Sequence, residues 1–157
     1  MKKKILFVCL GNICRSPSAE AVFKALVDKN GDSNNFEIDS AGTSAWHAGE
    51  KADARMRRHA KNRGINITSI SRKFEVEDFD HFDYIIAMDQ ENLDNLKQLA
   101  KNQSDLDKIH MMTNFSKKFN YGYVPDPYYG GDDGFDLVLD ILEDAGAGFY
   151  HFLKKHD

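Results

Sequence analysis

The chain has 157 residues, 41% of them hydrophobic and 29% charged, with a formal net charge of −4. That length and balance fit one folded domain with a proper core and exclude a disordered or fibrous chain. The acidic balance also excludes a general nucleic-acid binder, whose affinity for phosphate backbones needs a basic face.

Three lysines, Lys2, Lys3 and Lys4, precede an apolar run over 5–10. That run is too short for a signal peptide, no small-residue cleavage site follows, and nothing downstream is long enough to span a membrane. The run over 5–8 predicts a buried strand that stops at Cys9. A five-residue loop leads to Arg15. Ser16 reads as an N-cap, and Pro17 fits the first turn of a helix over 17–29 with Ala19, Val22, Phe23 and Leu26 on one face. Turn residues fill 30–35, and 36–40 reads as a short strand. The loop over 41–49 holds Trp46, the chain's one tryptophan. A tryptophan on such a loop reads as a lid or pocket wall.

A second helix is expected over 51–63 with Ala52, Met56 and Ala60 facing inward and Gly64 ending it. The basic cluster Arg55, Arg57 and Arg58 reads as a solvated face. After an irregular stretch over 65–80, residues 82–88 form a second clear buried strand. Asp89 ends it and caps a helix over 90–100. Residues 108–112 are a further strand. Pro125 and Pro127 hold the backbone around Asp126, which is therefore presented rigidly and outside a helix. The acidic run Asp132-Asp133-Gly134-Phe135-Asp136 lacks the alternation of a calcium loop and reads as a polar loop. A closing helix over 135–155 carries the stripe Phe135, Val138, Leu142, Ala145, Phe149 and Phe152. Strands separated by helices predict an α/β fold: one domain over 1–157, a four-stranded parallel sheet with helices on both faces. Ligands of such sheets bind beyond the carboxyl ends of the strands, where Cys9 lies.

The chemistry concentrates in one stretch. A helix N-terminus directs free N–H groups and positive dipole into the loop, making it a cradle for an oxyanion. Gly11 permits close backbone approach and Asn12 tolerates a left-handed conformation. A cysteine at the rim sits in an electropositive setting that favours the nucleophilic thiolate, and Arg15 can bind two oxygens of one phosphate. Cys9 alone would read as a small buried hydrophobe, and Arg15 alone as a solvated charge. The strand before them, the Gly-Asn turn between them and the helix after them make the pattern specific. The two cysteines, Cys9 and Cys14, share this loop; they form no disulfide framework and suit a reducing cytoplasm. The six histidines show no ligand spacing, so neither metal nor other cofactor is expected.

Val8-Cys9-Leu10-Gly11-Asn12-Ile13-Cys14-Arg15-Ser16-Pro17, followed by Ala19-Glu20, resembles the signature loop of the low-molecular-weight protein tyrosine phosphatases. The likeness extends along the chain through residues 38–42, 82–89 and 126–130. It implies a flavodoxin-like, phosphotyrosine phosphatase I-like fold and hydrolysis of phosphotyrosine and small aryl phosphates. Cys9 would be the nucleophile and form a phosphocysteine. The backbone of Leu10, Gly11, Asn12, Ile13 and Cys14, with Arg15, would hold the phosphate oxygens. Asp126 would be the general acid and then base. Ser16 would donate to the thiolate, Asn12 and Ser40 would brace the loop, and Trp46, Tyr128 and Tyr129 would wall the cleft. The expected partner is a phosphotyrosine protein, the expected state a cytoplasmic monomer. A reversible Cys9–Cys14 disulfide is also implied. Animal members of that family carry a histidine where this chain has Ser69, so the bracing network differs there.

Three rivals are distinguishable. Thioredoxin-coupled arsenate reductases share the loop but need further cysteines, which this chain lacks. Arginine-phosphate phosphatases carry threonine where this chain has Ile13, and the apolar Ile13 suits an aromatic phosphate better. A non-catalytic phosphate-binding regulatory module could dispense with Cys9 or Asp126, and both are present.

Overall fold

The apolar run after Lys4 forms strand β1 (Lys3–Cys9), the centre of the molecule. In a computed structural model that describes residues 2–127 and 131–156, β1 lies between β2 (Phe36–Gly42) and β3 (Tyr84–Ala87). β4 (Ile109–Met111) sits outside β3. All neighbouring pairs are parallel, in the order β2-β1-β3-β4. The connections are the helices α1 (Arg15–Lys29), α2 (Ala54–Lys61), α3 (Asp78–His81), α4 (Gln90–Leu99) and α5 (Gln103–Asp107); α6 (Asp132–Lys155) closes the chain.

The two faces of β1 supply two cores. Ile5, Phe7 and Cys9 join Ile86, Phe23 of α1 and Phe149 of α6. Leu6 and Val8 join Ile85, Phe79 of α3 and Leu96 of α4. Both faces being covered explains why the central strands read as continuous apolar runs instead of alternating. The register sets Cys9 opposite Gly42 and Val8 opposite Ala87. The carboxyl ends of three strands therefore meet at one edge, where the ligands of such sheets bind.

Several boundaries differ from expectation for identifiable reasons. α1 starts at Arg15, so Ser16 is inside its first turn and is not the N-cap; Cys14 occupies that position without a side-chain cap. The Ser16 hydroxyl is drawn instead toward Cys9 and Asn12. Pro17 remains in the first turn, where its missing N–H costs nothing. α2 is shorter than 51–63 because the Asp53 carboxylate accepts from the Arg55 and Met56 amides and sets its start. β2 runs on to Gly42 because it pairs with β1 along its whole length. The stretch over 65–80 is irregular until α3 begins at Asp78. The acidic run expected as a loop forms the first turn of α6, with Asp132 and Asp133 at the positive end of its dipole. No helix among the described residues is long and apolar enough to cross a membrane.

Two features of α6 give testable consequences. A Cβ at Gly148 would lie 1.8 Å from the Phe115 carbonyl oxygen, so only glycine lets α6 dock against the chain leaving β4. Gly148→Ala is expected to destabilise the fold by about 3 kcal/mol and lower Tm by roughly 10 °C, read by thermal unfolding. At the other end, Asp32 accepts from Asn35, from the Tyr150 hydroxyl at 2.8 Å and from Lys154 Nζ at 3.0 Å. The bonds from Asn35, Tyr150 and Lys154 hold its carboxyl down at about 2. A depressed carboxyl stabilises the folded state above its unfolded value near 4 and loses that contribution as pH falls toward 2. Denaturation midpoints measured from pH 5 to 2 should therefore fall more steeply for the wild type than for Asp32→Asn.

Candidate active site

The loop between β1 and α1 is shaped by one residue in the left-handed region: Asn12, at φ 56°. Its side chain then points inward and is 2% exposed. Nδ2 donates to Ser16 Oγ at 2.7 Å and to Ser40 Oγ at 3.0 Å. Oδ1 accepts the Arg72 amide at 3.0 Å. Ser40 Oγ donates in turn to Glu20 Oε1 at 2.6 Å. The loop also lies against the end of β2, where a Cβ at Gly42 would stand 2.7 Å from the Leu10 carbonyl. The close approach that the sequence points to at Gly11 therefore falls chiefly at Gly42.

Cys9 is 3% exposed at the carboxyl end of β1. Its sulfur is 3.0 Å from Ser16 Oγ and accepts the Ser16 amide at 3.4 Å. The N-terminus of α1, fifteen residues long, is thus directed at the sulfur. Arg15, also nearly buried, extends its fork along the same edge. Nη1 donates to Asp89 Oδ2 at 2.5 Å and to the Val124 carbonyl at 3.2 Å, and Nη2 lies 3.7 Å from Asp126 Oδ2. Burial alone would lower the pKa of Arg15; the charges of Cys9, Asp89 and Asp126 outweigh it and the net shift is upward. Asp89 does two things at once: Oδ1 caps α4 through the Asn92 amide at 2.8 Å while Oδ2 holds Arg15.

Cys9, Leu10, Gly11, Ile13, Cys14, Arg15, Trp46, His47 and Asp126 line one cleft. Trp46 stands 77% exposed at its mouth, and Val124, fully buried, ties the Asp126 segment to the sheet through Met88. Tyr128 and Tyr129, expected as walls, lie outside the described residues. Cys14 is buried, and burial first, then the charges of Asp53, Cys9 and Asp126, push its thiol far above the usual range. The two cysteines of one loop thus differ: Cys9 faces donors and Cys14 is held as a neutral thiol. Among the described residues no cluster of histidine, cysteine or carboxylate side chains could hold a metal ion.

The profile described as "Low molecular weight phosphotyrosine protein phosphatase" matches residues 4–157. The chain belongs to that family. A low molecular weight phosphotyrosine protein phosphatase of Schizosaccharomyces pombe is 47% identical over 142 residues, covering 89% of this chain and 90% of that one. The crystal structure of a protein tyrosine phosphatase from Entamoeba histolytica, with Hepes in its active site, superposes with a TM-score of 0.96 at 45% identity, covering 99% of each chain. A drosophila arginine phosphatase superposes with a TM-score of 0.90 at 34% identity over the whole of both chains. Fold alone therefore does not separate these phosphatases.

Several members of this family site escape a reading of the sequence. Ser69, the departure from animal phosphatases of the family, is half-buried, and the loop's hydrogen bonds come from its neighbours: Ser71 Oγ donates to the Gly11 carbonyl at 3.0 Å, alongside the Arg72 amide. Arg72 is fastened there by a fork to Asp39 at 3.1 Å and Asp78 at 3.1 Å. Glu20 was legible only as part of the signature, and His47 only as one polar residue in a small-residue loop.

Proposed function

We propose that this phosphatase hydrolyses phosphotyrosine and small aryl phosphates through a phosphocysteine on Cys9. The observation that carries the reading is the convergence of Cys9, the N-terminus of α1, the Arg15 fork and Asp126 on one cleft. A phosphate monoester enters with its oxygens on the loop amides from Leu10 to Arg15 and on the Arg15 guanidinium. The Cys9 thiolate attacks phosphorus; the P–O bond to the phenol breaks opposite the sulfur, and the Asp126 carboxyl gives its proton to the departing oxygen. Asp126, now a carboxylate, takes a proton from water as that water attacks phosphorus. The P–S bond then breaks, and the thiolate and inorganic phosphate are released. Charge spread over the equatorial oxygens meets fixed donors throughout, which supplies the electrostatic stabilisation that phosphoryl transfer needs. Ser16, by donating to the sulfur, stabilises it as nucleophile and leaving group. Asn12 and Ser40 keep the amides aimed inward.

Ile13 on the cleft wall supports an aryl phosphate over phosphoarginine, since an apolar side chain packs on a ring and leaves a guanidinium unpaired. The proximity of Cys14 to Cys9 in one loop supports a protective cycle. Peroxide oxidises Cys9 to the sulfenic acid, the Cys14 sulfur displaces water from it, and the Cys9–Cys14 disulfide forms. Both cysteines lying in this loop also fits a cytoplasmic setting, and the protein is taken as a monomer there.

Rapid mixing with p-nitrophenyl phosphate under chelator tests the reading. A burst of p-nitrophenolate stoichiometric with enzyme, followed by slower turnover, is expected. Phosphate binding with no phenolate release would make the protein a binding module instead.

A further inference from the structure

A second recess adjoins the catalytic cleft, sharing Ile13 and His47 with it as a common wall. Its other charged lining residues are Glu50, Lys51, Asp53 and Arg57. Both carboxylates are already engaged. Glu50 Oε2 is 3.1 Å from His47 Nδ1. Asp53 accepts the Arg55 and Met56 amides at 2.8 and 3.3 Å and lies 3.2 Å from Arg55 Nη2. The two cations are not so engaged. Lys51 is exposed and makes no ion pair among the described residues; Arg57 uses Nε on the Ala52 carbonyl at 2.9 Å, which orients its guanidinium without neutralising it. The recess therefore presents two cations that no carboxylate pairs with among the described residues, beside the mouth of the phosphate cleft, although the domain as a whole is acidic. A peptide whose phosphotyrosine reaches Cys9 has its neighbouring residues at the mouth of the cleft, which this recess adjoins.

We propose that the recess is a subsite for an acidic side chain, aspartate or glutamate, next to the phosphotyrosine of the peptide substrate, with Lys51 and Arg57 as its cations. Arg57, which reads in the sequence as part of a solvated basic face, thus becomes a selectivity element. The proposal rests on the phosphotyrosine reading above. Such rim charges act on encounter and on choice between substrates, and they weaken with salt.

The test compares three phosphotyrosine peptides, identical except that the residues on both sides of the phosphotyrosine are glutamate, alanine or lysine. Wild type, Lys51→Gln and Lys51→Gln/Arg57→Gln are assayed with each, and with p-nitrophenyl phosphate. For the wild type, kcat/KM is expected to be about two- to fivefold higher for the glutamate peptide than for the alanine one, the range for exposed ion pairs, and lowest for the lysine peptide. The preference should shrink in Lys51→Gln, vanish in the double variant and fade in about 0.5 M salt, where screening is strong. Turnover of p-nitrophenyl phosphate, which does not reach the recess, should stay unchanged and reports that the variants are folded. Equal kcat/KM for the three peptides in the wild type, or an undiminished preference in the variants, overturns the subsite while leaving the phosphatase reading intact. Loss of p-nitrophenyl phosphate turnover in the wild type itself overturns both.

Discussion

Cys9→Ser is expected to remove turnover of p-nitrophenyl phosphate, by about 10⁴-fold or more, while phosphate still binds. The sulfur sits 3.0 Å from Ser16 Oγ at the N-terminus of α1, a position whose charge-stabilising groups act only on an anion. A serine hydroxyl there, with no adjacent base among the groups that touch it, is a poor nucleophile beside a sulfur. The anion cradle does not depend on the sulfur. The loop conformation is held by Asn12, Ser40, Ser71 and the Arg72 amide, and Arg15 is held by Asp89 and Val124. Removing a negative charge from the pocket should even tighten phosphate binding, since Cys9 and the phosphate compete for the same donors. Steady-state kinetics and calorimetric titration with phosphate check the two halves. Turnover within tenfold of wild type would take the nucleophilic role away from Cys9.

How much of this was legible in the sequence follows from how local each signal is. The strand, the Gly-Asn turn and the helix around Cys9 and Arg15 lie within fifteen residues, and each is written in local propensities: an apolar run, a residue that tolerates φ above zero, and a proline in the first turn. The double role of Asp89 was half visible, because capping is a local property while the bond to Arg15 spans 74 positions. The Ser16 cap failed because a tertiary partner competed for the hydroxyl: the sulfur of Cys9 and the amide of Asn12 took the group that propensity assigned to the helix end. Glu20, Ser71 and Arg72 were missed for the same reason in reverse. Their side chains or amides meet the loop only after β2 and the segment over 70–74 come together at Gly42, and nothing local marks them. The parallel order of the strands was readable from the alternation of strand and helix; the register that sets Cys9 opposite Gly42 was not, because both faces of β1 are apolar and no period distinguishes one slip from another.

Asp126→Ala is expected to slow the enzyme in a way that depends on the leaving group, by about 10²- to 10⁴-fold for phosphotyrosine and phenyl phosphate but far less for aryl phosphates with acidic phenols. The reason lies in where the carboxylate stands. Pro125 and Pro127 hold the backbone on either side of it, Val124 is pinned to Met88 by a 2.7 Å bond, and the carboxylate remains well exposed on the cleft wall, 3.7 Å from Arg15 Nη2. It can therefore reach the oxygen that leaves on the side away from Cys9. A departing tyrosinate is strongly basic and needs that proton in the transition state; a departing p-nitrophenolate, already a stable anion, needs it much less. A plot of log kcat/KM against phenol pKa should be nearly flat for the wild type and slope steeply downward for Asp126→Ala, while unfolding midpoints agree, because no helix or strand contains the residue. A purely structural role would lower every substrate by the same factor and leave the two slopes parallel. Asp126→Asn, which keeps the shape and cannot transfer a proton, should follow the alanine variant in slope, separating loss of the proton from loss of the charge that faces Arg15.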